Sequence, residues 1–179
     1  QTLEEALKQY ANQFKVWNLS LGSNEVCAED EFSAFAEAID DLQERFAVSF
    51  VVSAGNVETR PLLEYPRVGA QVSAGRITAP SDTVLGITVG AVSHIAYQAD
   101  GPKFGEPSPF SRHGAGPNWI VKPDLIHFGG TCNTMATHVS GVRSVTVGGT
   151  AEDIGTSFSA PLVARSLAQI YHQIAPTPS

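Results

Sequence analysis

The sequence predicts an α/β domain in which a mostly parallel sheet carries helices on both faces. Three observations predict it. Segments with helical periodicity alternate with strand-like segments through short connections, as parallel strands require. The second strand segment is mostly apolar along its length, which is the pattern of a strand covered on both sides. The 179 residues are 42 % hydrophobic and only 16 % charged, against roughly 25 % charged in an average domain. That composition suits one domain and excludes a disordered, fibrous or coiled-coil chain.

The elements follow in order. Thr2–Phe14 places Leu3, Leu7, Tyr10, Ala11 and Phe14 on one helical stripe. Lys15–Gly22 reads as a strand that stops at a glycine, and a helix from about Glu31 to Phe46 buries Phe32, Phe35, Ile39, Leu42 and Phe46. Ala47–Asn56 is the apolar strand with a Gly-Asn turn. The pattern loosens over Val57–Thr83, which carries Pro61, Pro66, Gly69, Gly75 and Pro80. A third strand is read at Leu85–Ser93. Asp100–Pro117, with four Pro and four Gly, reads as a long ordered loop. Val121–Phe128 is a short fourth strand, and a further strand is read at Val142–Val147 inside the Gly/Thr/Ser-rich stretch Gly129–Asp153. The chain closes with a helix over Ser157 to about Ile174.

Charge narrows the partners. Eleven basic against eighteen acidic residues leave a formal charge of −7 with no basic run, so no nucleic-acid partner is expected. No apolar run approaches the ~20 residues of a membrane span, so no membrane partner is expected either. No signal peptide is visible, although the chain opens directly inside an amphipathic pattern. Cys27 and Cys132 show no zinc or redox spacing and read as two isolated thiols. Low cysteine usage leans toward the cytoplasm, the compartment being otherwise unknown. Asn18-Leu19-Ser20 is a formal glycosylation sequon, discounted because the strand is read as buried.

Several catalytic signatures are absent: no GxSxG, no Walker A sequence, no GxGxxG after a strand, no HExxH. The five His are scattered. One segment stands apart. Gly155-Thr156-Ser157-Phe158-Ser159-Ala160-Pro161 runs from a glycine-rich loop directly into the last helix. A serine there faces unpaired backbone N–H groups and the positive end of the helix dipole. Such a place suits a nucleophile, because negative charge develops on the substrate oxygen beside it. The plainer reading is that Thr156 or Ser157 is an N-cap worth ~1 kcal/mol.

This GTSFSAP segment resembles the nucleophile motif of the subtilisin-like serine proteases, the subtilases. Other signatures follow in that family's order: Asn18-Leu19-Ser20-Leu21-Gly22, Ser53-Ala54-Gly55-Asn56, Ile87–Ser93, Phe110-Ser111-Arg112-His113-Gly114 and Lys122-Pro123-Asp124. The resemblance spans Val16–Ala164. It implies a three-layer subtilisin-like fold and a serine endopeptidase, residues 1–179 being part of its catalytic domain. By resemblance Ser157 is the nucleophile and Asn56 the side-chain donor to the oxyanion. Ser20, Leu21 and Gly22, with Ser53, Ala54 and Gly55, hold the substrate strand and wall its first pocket, Thr156 standing beside them.

The departures carry equal weight. The family's catalytic Asp and His precede the Asn-Leu-Ser-Leu-Gly strand, yet residues 1–15 contain neither. His113 lies on the wrong side of Asn56 for the family's Asp, His, Ser order and is rejected as the base. His127-Phe128-Gly129 replaces the family's Ala-Pro-Gly, and the stretches Val57–Ala79 and Gly129–Asp153 are longer than in compact members of the family. The expectation is therefore a catalytic domain lacking its N-terminal strands, inactive by itself, with an open edge at Val16–Leu21 prone to self-association. A pseudoprotease that binds peptides without cleaving them is the alternative; an unrelated α/β domain in which Ser157 is only a cap is a third. No cofactor is expected. Structural calcium has no specific motif, the cluster Glu29-Asp30-Glu31 being read as carboxylates that favour the start of the second helix.

Overall fold

The structure, a computed structural model, describes residues 2–65, 75–96 and 101–174. Pro66 and Gly69 of the loosened stretch, and Asp100 at the head of the long loop, lie outside these.

Helix α1 (Leu3–Tyr10) starts at a reciprocal cap. The Thr2 hydroxyl accepts the Glu5 N–H, and the Glu5 carboxylate accepts the Thr2 N–H at 2.8 Å. It is shorter than its apolar stripe, because the chain turns after Ala11 and both Gln13 and Phe14 donate to the Tyr10 carbonyl. Strand β1 (Val16–Leu19) also stops before its expected end. Beyond Ser20 the chain leaves the sheet to pair with residues 77–79: Ser23 N–H donates to the Ala79 carbonyl and Ala79 N–H to that of Glu25.

Helix α2 (Ala34–Phe46) begins later than the sequence suggested. Its N-cap is Ser33, whose hydroxyl accepts the Ala36 N–H. Ser33 is itself gripped by the fully buried Asp82, which accepts its N–H at 2.6 Å and its hydroxyl at 2.8 Å. Glu29-Asp30-Glu31 therefore precedes the helix and does not cap it; Glu29 pairs with Arg76 at 2.8 Å instead. Among the described residues no cluster of three His, Cys, Asp or Glu could hold a metal ion.

The sheet is parallel throughout, in the order β1-β2-β3-β6, with β2 at Ser49–Ser53, β3 at Ile87–Val92 and β6 at Leu125–Phe128. Successive side chains of β2 face opposite sides of it. Phe50 and Val52 point into a core with Leu7, Leu19, Ile39 and Val48, beneath α1 and α2. Val51, with Val89 of β3, packs against Ala160, Val163 and Ala164 of the closing helix α3 (Thr156–Ile174). Those are the three layers. β6 was expected as part of one strand from Val121; it is cut from β5 (Val121–Lys122) at Pro123, which has no N–H to give to a ladder. β4 (Gly114–Ala115) pairs with β5, and β7 (Thr131–Cys132) with β8 (Val139–Ser140). The strand expected at 142–147 is β9 (Val142–Thr146); its antiparallel partner β10 (Gly149–Asp153) was not foreseen.

Cys27 and Cys132 are both free and buried. Among the described residues no helix is long and apolar enough to cross a membrane. Asn18 is exposed, not buried as its strand was expected to be, and its amide donates to the Ser20 hydroxyl.

Candidate active site

β2 delivers Ser53 to the upper edge of the sheet, where Ala54 N–H still reaches the Val89 carbonyl. The chain then turns at Gly55, whose φ of +90° lies in the region that favours glycine. Asn56 follows. Its Oδ1 accepts the Thr156 N–H at 2.9 Å and the Thr156 hydroxyl at 3.1 Å, while that hydroxyl accepts the Gly55 N–H at 3.2 Å. The first N–H of α3 is thus satisfied by a side chain 100 residues away in sequence. The end of β2 and the start of α3 are locked to each other.

This lock sets the Asn56 amide. With Oδ1 committed to two donors, Nδ2 is the end that faces outward. A Cβ built on Gly155 would stand 3.2 Å from Asn56 Nδ2 and 3.7 Å from the Ser157 backbone nitrogen. Two N–H donors therefore border one small space that Gly155 leaves empty. Ser157 is half-buried beside it, in the first turn of the helix, and its hydroxyl has no hydrogen bond among the described residues. No His or carboxylate among them bonds to that hydroxyl.

Pro161 fixes the opposite wall. Lacking an N–H, it cannot bond the carbonyl of Ser157 four residues earlier. That carbonyl accepts the Ser20 hydroxyl instead, at 3.0 Å. The loop leaving β1 is thereby tied to the first turn of α3, and Leu21 and Gly22 beyond it are exposed.

Ser157, Asn56, Thr156, Gly55 and Ser20 are thus brought together. Their jobs differ from the simple expectation. Thr156 is fully buried with its hydroxyl engaged, so it positions the site and does not face solvent. Ser53 and Ala54 are also buried; the Ser53 carbonyl accepts the Ser81 hydroxyl and the Gly55 carbonyl accepts the Arg112 N–H. This segment can line a pocket, and each of these two carbonyls already accepts one hydrogen bond within the fold. His113 packs edge-on against Tyr65, with ring centres 5.4 Å apart. Sequence reasoning missed the parts of Gly155 and Pro161, although both sit in the motif it singled out. It also passed over Arg112, which donates from Nε to the Asn56 carbonyl at 3.0 Å and from Nη1 to that of Arg76 at 2.8 Å.

Comparison with known proteins gives the same direction. The profile of the Subtilase family matches residues 1–176. The uncharacterised protein y4bN of Sinorhizobium fredii (strain NBRC 101917 / NGR234) is 29 % identical over 159 residues, covering 72 % of this chain and 34 % of its own length. The prenylagaramide maturation protease PagA superposes with a TM-score of 0.59 at 18 % identity, over 99 % of this chain and 52 % of that one. The S41 psychrophilic protease gives 0.59 at 24 % identity, over 97 % and 50 %. A cold-adapted subtilisin-like serine proteinase gives 0.54 at 22 %, over 96 % and 47 %. At these identities the structures show a shared fold. The chain spans about a third of the curated relative and about half of the solved proteins.

Proposed function

Because the chain belongs to the Subtilase family, we propose that it carries the nucleophile and the oxyanion donors of a serine endopeptidase that hydrolyses peptide bonds in peptides or proteins. One observation supports this above the rest: Asn56 Nδ2 and the Ser157 N–H border the same gap at Gly155, next to a hydroxyl with no hydrogen bond among the described residues. In the reaction Ser157 Oγ bonds to the substrate carbonyl carbon, and the oxygen that becomes negative takes those two hydrogen bonds. The C–N bond then breaks. The Ser157 proton passes to a general base and from it to the leaving amine; water later frees the acyl group by the same route.

Residues 1–15 hold no Asp and no His, so the imidazole and carboxylate that the family uses have no counterpart among them. A serine without a base is a weak nucleophile; in subtilisins, loss of Ser or His lowers turnover by ~2 × 10⁶. The 179 residues by themselves are therefore expected to show no measurable peptide hydrolysis. Turnover that disappears on Ser157→Ala would overturn this.

The test of the proposal is chemical. A polypeptide extended upstream to include an Asp-Thr/Ser-Gly and a His-Gly-Thr should react with a fluorophosphonate at Ser157. Failure of that serine to label in such a polypeptide sinks the protease reading. A second reading is a module that binds peptides without cleaving them. An upstream sequence free of both motifs would select it.

A further inference from the structure

Beside the candidate site, Arg112 forms no ion pair among the described residues. It is half-buried, and burial pushes its guanidinium below the ordinary value, an effect that the more distant Glu58 carboxylate partly opposes. It remains charged at any pH the fold experiences. Its neighbour Arg76 is neutralised by Glu29 at 2.8 Å. Arg112 has no such partner among the described residues: two of its five N–H groups go to the neutral carbonyls of Asn56 and Arg76. Carbonyl dipoles satisfy hydrogen bonds but do not cancel a charge. A partly desolvated cation held this way favours an anion in the space it borders.

Its place says which space. A Cβ built on Gly55 would meet Thr78 Oγ1 at 2.8 Å and Arg112 Cδ at 3.0 Å. Gly55 therefore packs flush against these two side chains, with no room for a Cβ between them. Thr78 belongs to the stretch that pairs with the chain continuing from Ser20–Gly22, through the Val26–Thr78 bridge and the Ser23–Ala79 bond. Arg112 belongs to the stretch bridged to Asn56. Both walls therefore lead to Arg112 and Thr78.

Building on the protease reading of Ser157 and Asn56, we propose that Arg112, with Thr78, floors the first substrate pocket and selects a peptide whose residue in that pocket is Glu or Asp. The remaining guanidinium hydrogens present a planar fork that a carboxylate can accept from two at once, and a neutral amide of the same shape cannot match that charge-assisted pair. A pocket walled by uncharged backbone would show no such choice.

Binding separates the two. Labelled blocked tetrapeptides with Glu, Gln, Leu or Lys at the pocket residue are titrated by fluorescence anisotropy into the full-length protein carrying Ser157→Ala. The Glu peptide is expected to bind at least about tenfold more tightly than its Gln isostere, with the advantage shrinking as salt rises. Arg112→Gln should bring the two peptides to near equality, whereas Arg112→Lys, which keeps the charge, should keep the order. Equal binding of Glu and Gln, or a preference that survives Arg112→Gln, overturns the proposal. Should Arg112→Gln not fold, the unsubstituted arginine decides: the Glu preference must vanish as pH falls through about 4.3, where the peptide carboxylate protonates. A preference constant across that range also overturns it. If none of the four peptides binds, the cleft reading behind Ser157 and Asn56 is what has failed, a result distinct from a cleft that binds without choosing.

Discussion

Asn56 uses the two ends of one amide for different tasks, and substitution can separate them. Oδ1 holds the Thr156 N–H and hydroxyl, a structural task, while Nδ2 borders the gap at Gly155. Asn56→Ala should lose the cap and destabilise the fold by about 1–2 kcal/mol in urea titrations. Asn56→Asp keeps an acceptor at a helix N-terminus, where a negative charge is favoured, so stability should stay within about 1 kcal/mol of the parent. It has no N–H to offer, however. In a polypeptide competent for acylation it should lose about 2.7–4 kcal/mol of transition-state stabilisation, a magnitude that comes from the subtilisins themselves. An aspartate variant as active as the parent would remove Asn56 from the chemistry. At this scale the sequence placed Ser157 and Asn56 through motifs around them, because glycine, serine and asparagine at a strand end and a helix start carry distinctive local chemistry. It did not disclose that Thr156 is sealed inside, since burial depends on what packs from elsewhere.

The elements were easier to name than to bound. α1 and α2 announce themselves by periodic apolar residues, but their ends are decided by partners far away. Glu29-Asp30-Glu31 looks like a helix start, yet Asp82 captures Ser33 and sets the N-cap two residues after Glu31. β1 stops short because residues 77–79 compete for its continuation. β10 was overlooked because Gly149–Asp153 is exposed along its whole length and carries no apolar alternation to read. At the C-terminal end of α2, Ala47 sits in the left-handed region with φ +49°. That conformation costs an L-residue with a Cβ roughly 1–2 kcal/mol and a glycine almost nothing. Ala47→Gly should therefore stabilise the protein by about 0.5–1 kcal/mol after the added flexibility of the unfolded chain is counted. A lower midpoint of thermal unfolding in this variant would contradict the assigned cap.

Across the whole molecule, the buried thiols tie stability to alkaline pH. Burial, reinforced by Asp82, pushes the Cys27 thiol up to about 12, and burial pushes Cys132 to about 11, from an ordinary 9.0. Both stay protonated in the fold while the unfolded chain ionises first. Their contribution is complete below pH 9 and is lost as pH rises toward 11 and 12. The urea midpoint should fall over that interval, and neither thiol should react with a disulfide reagent at pH 8 until the protein unfolds. Rapid native-state labelling would refute the assigned burial. β1 has a ladder partner on one side only among the described residues, and an unpaired edge invites a second strand. The 179-residue chain is expected to self-associate with rising concentration in sedimentation, less so with Asn18→Lys; a strict monomer at all concentrations would answer no. Hydrophobic periodicity and glycine-rich motifs by themselves determined the layered α/β class, the parallel core strands and the residues that resemble a protease site, because these are written in neighbours a few positions apart. Only the tertiary structure decided that Asn56 caps a helix 100 residues away, that Ser20 takes the carbonyl freed by Pro161, and that Arg112 lies against Gly55. Those contacts join segments whose separation along the chain leaves no local trace, and they exist only once the sheet has brought its strand ends to one side.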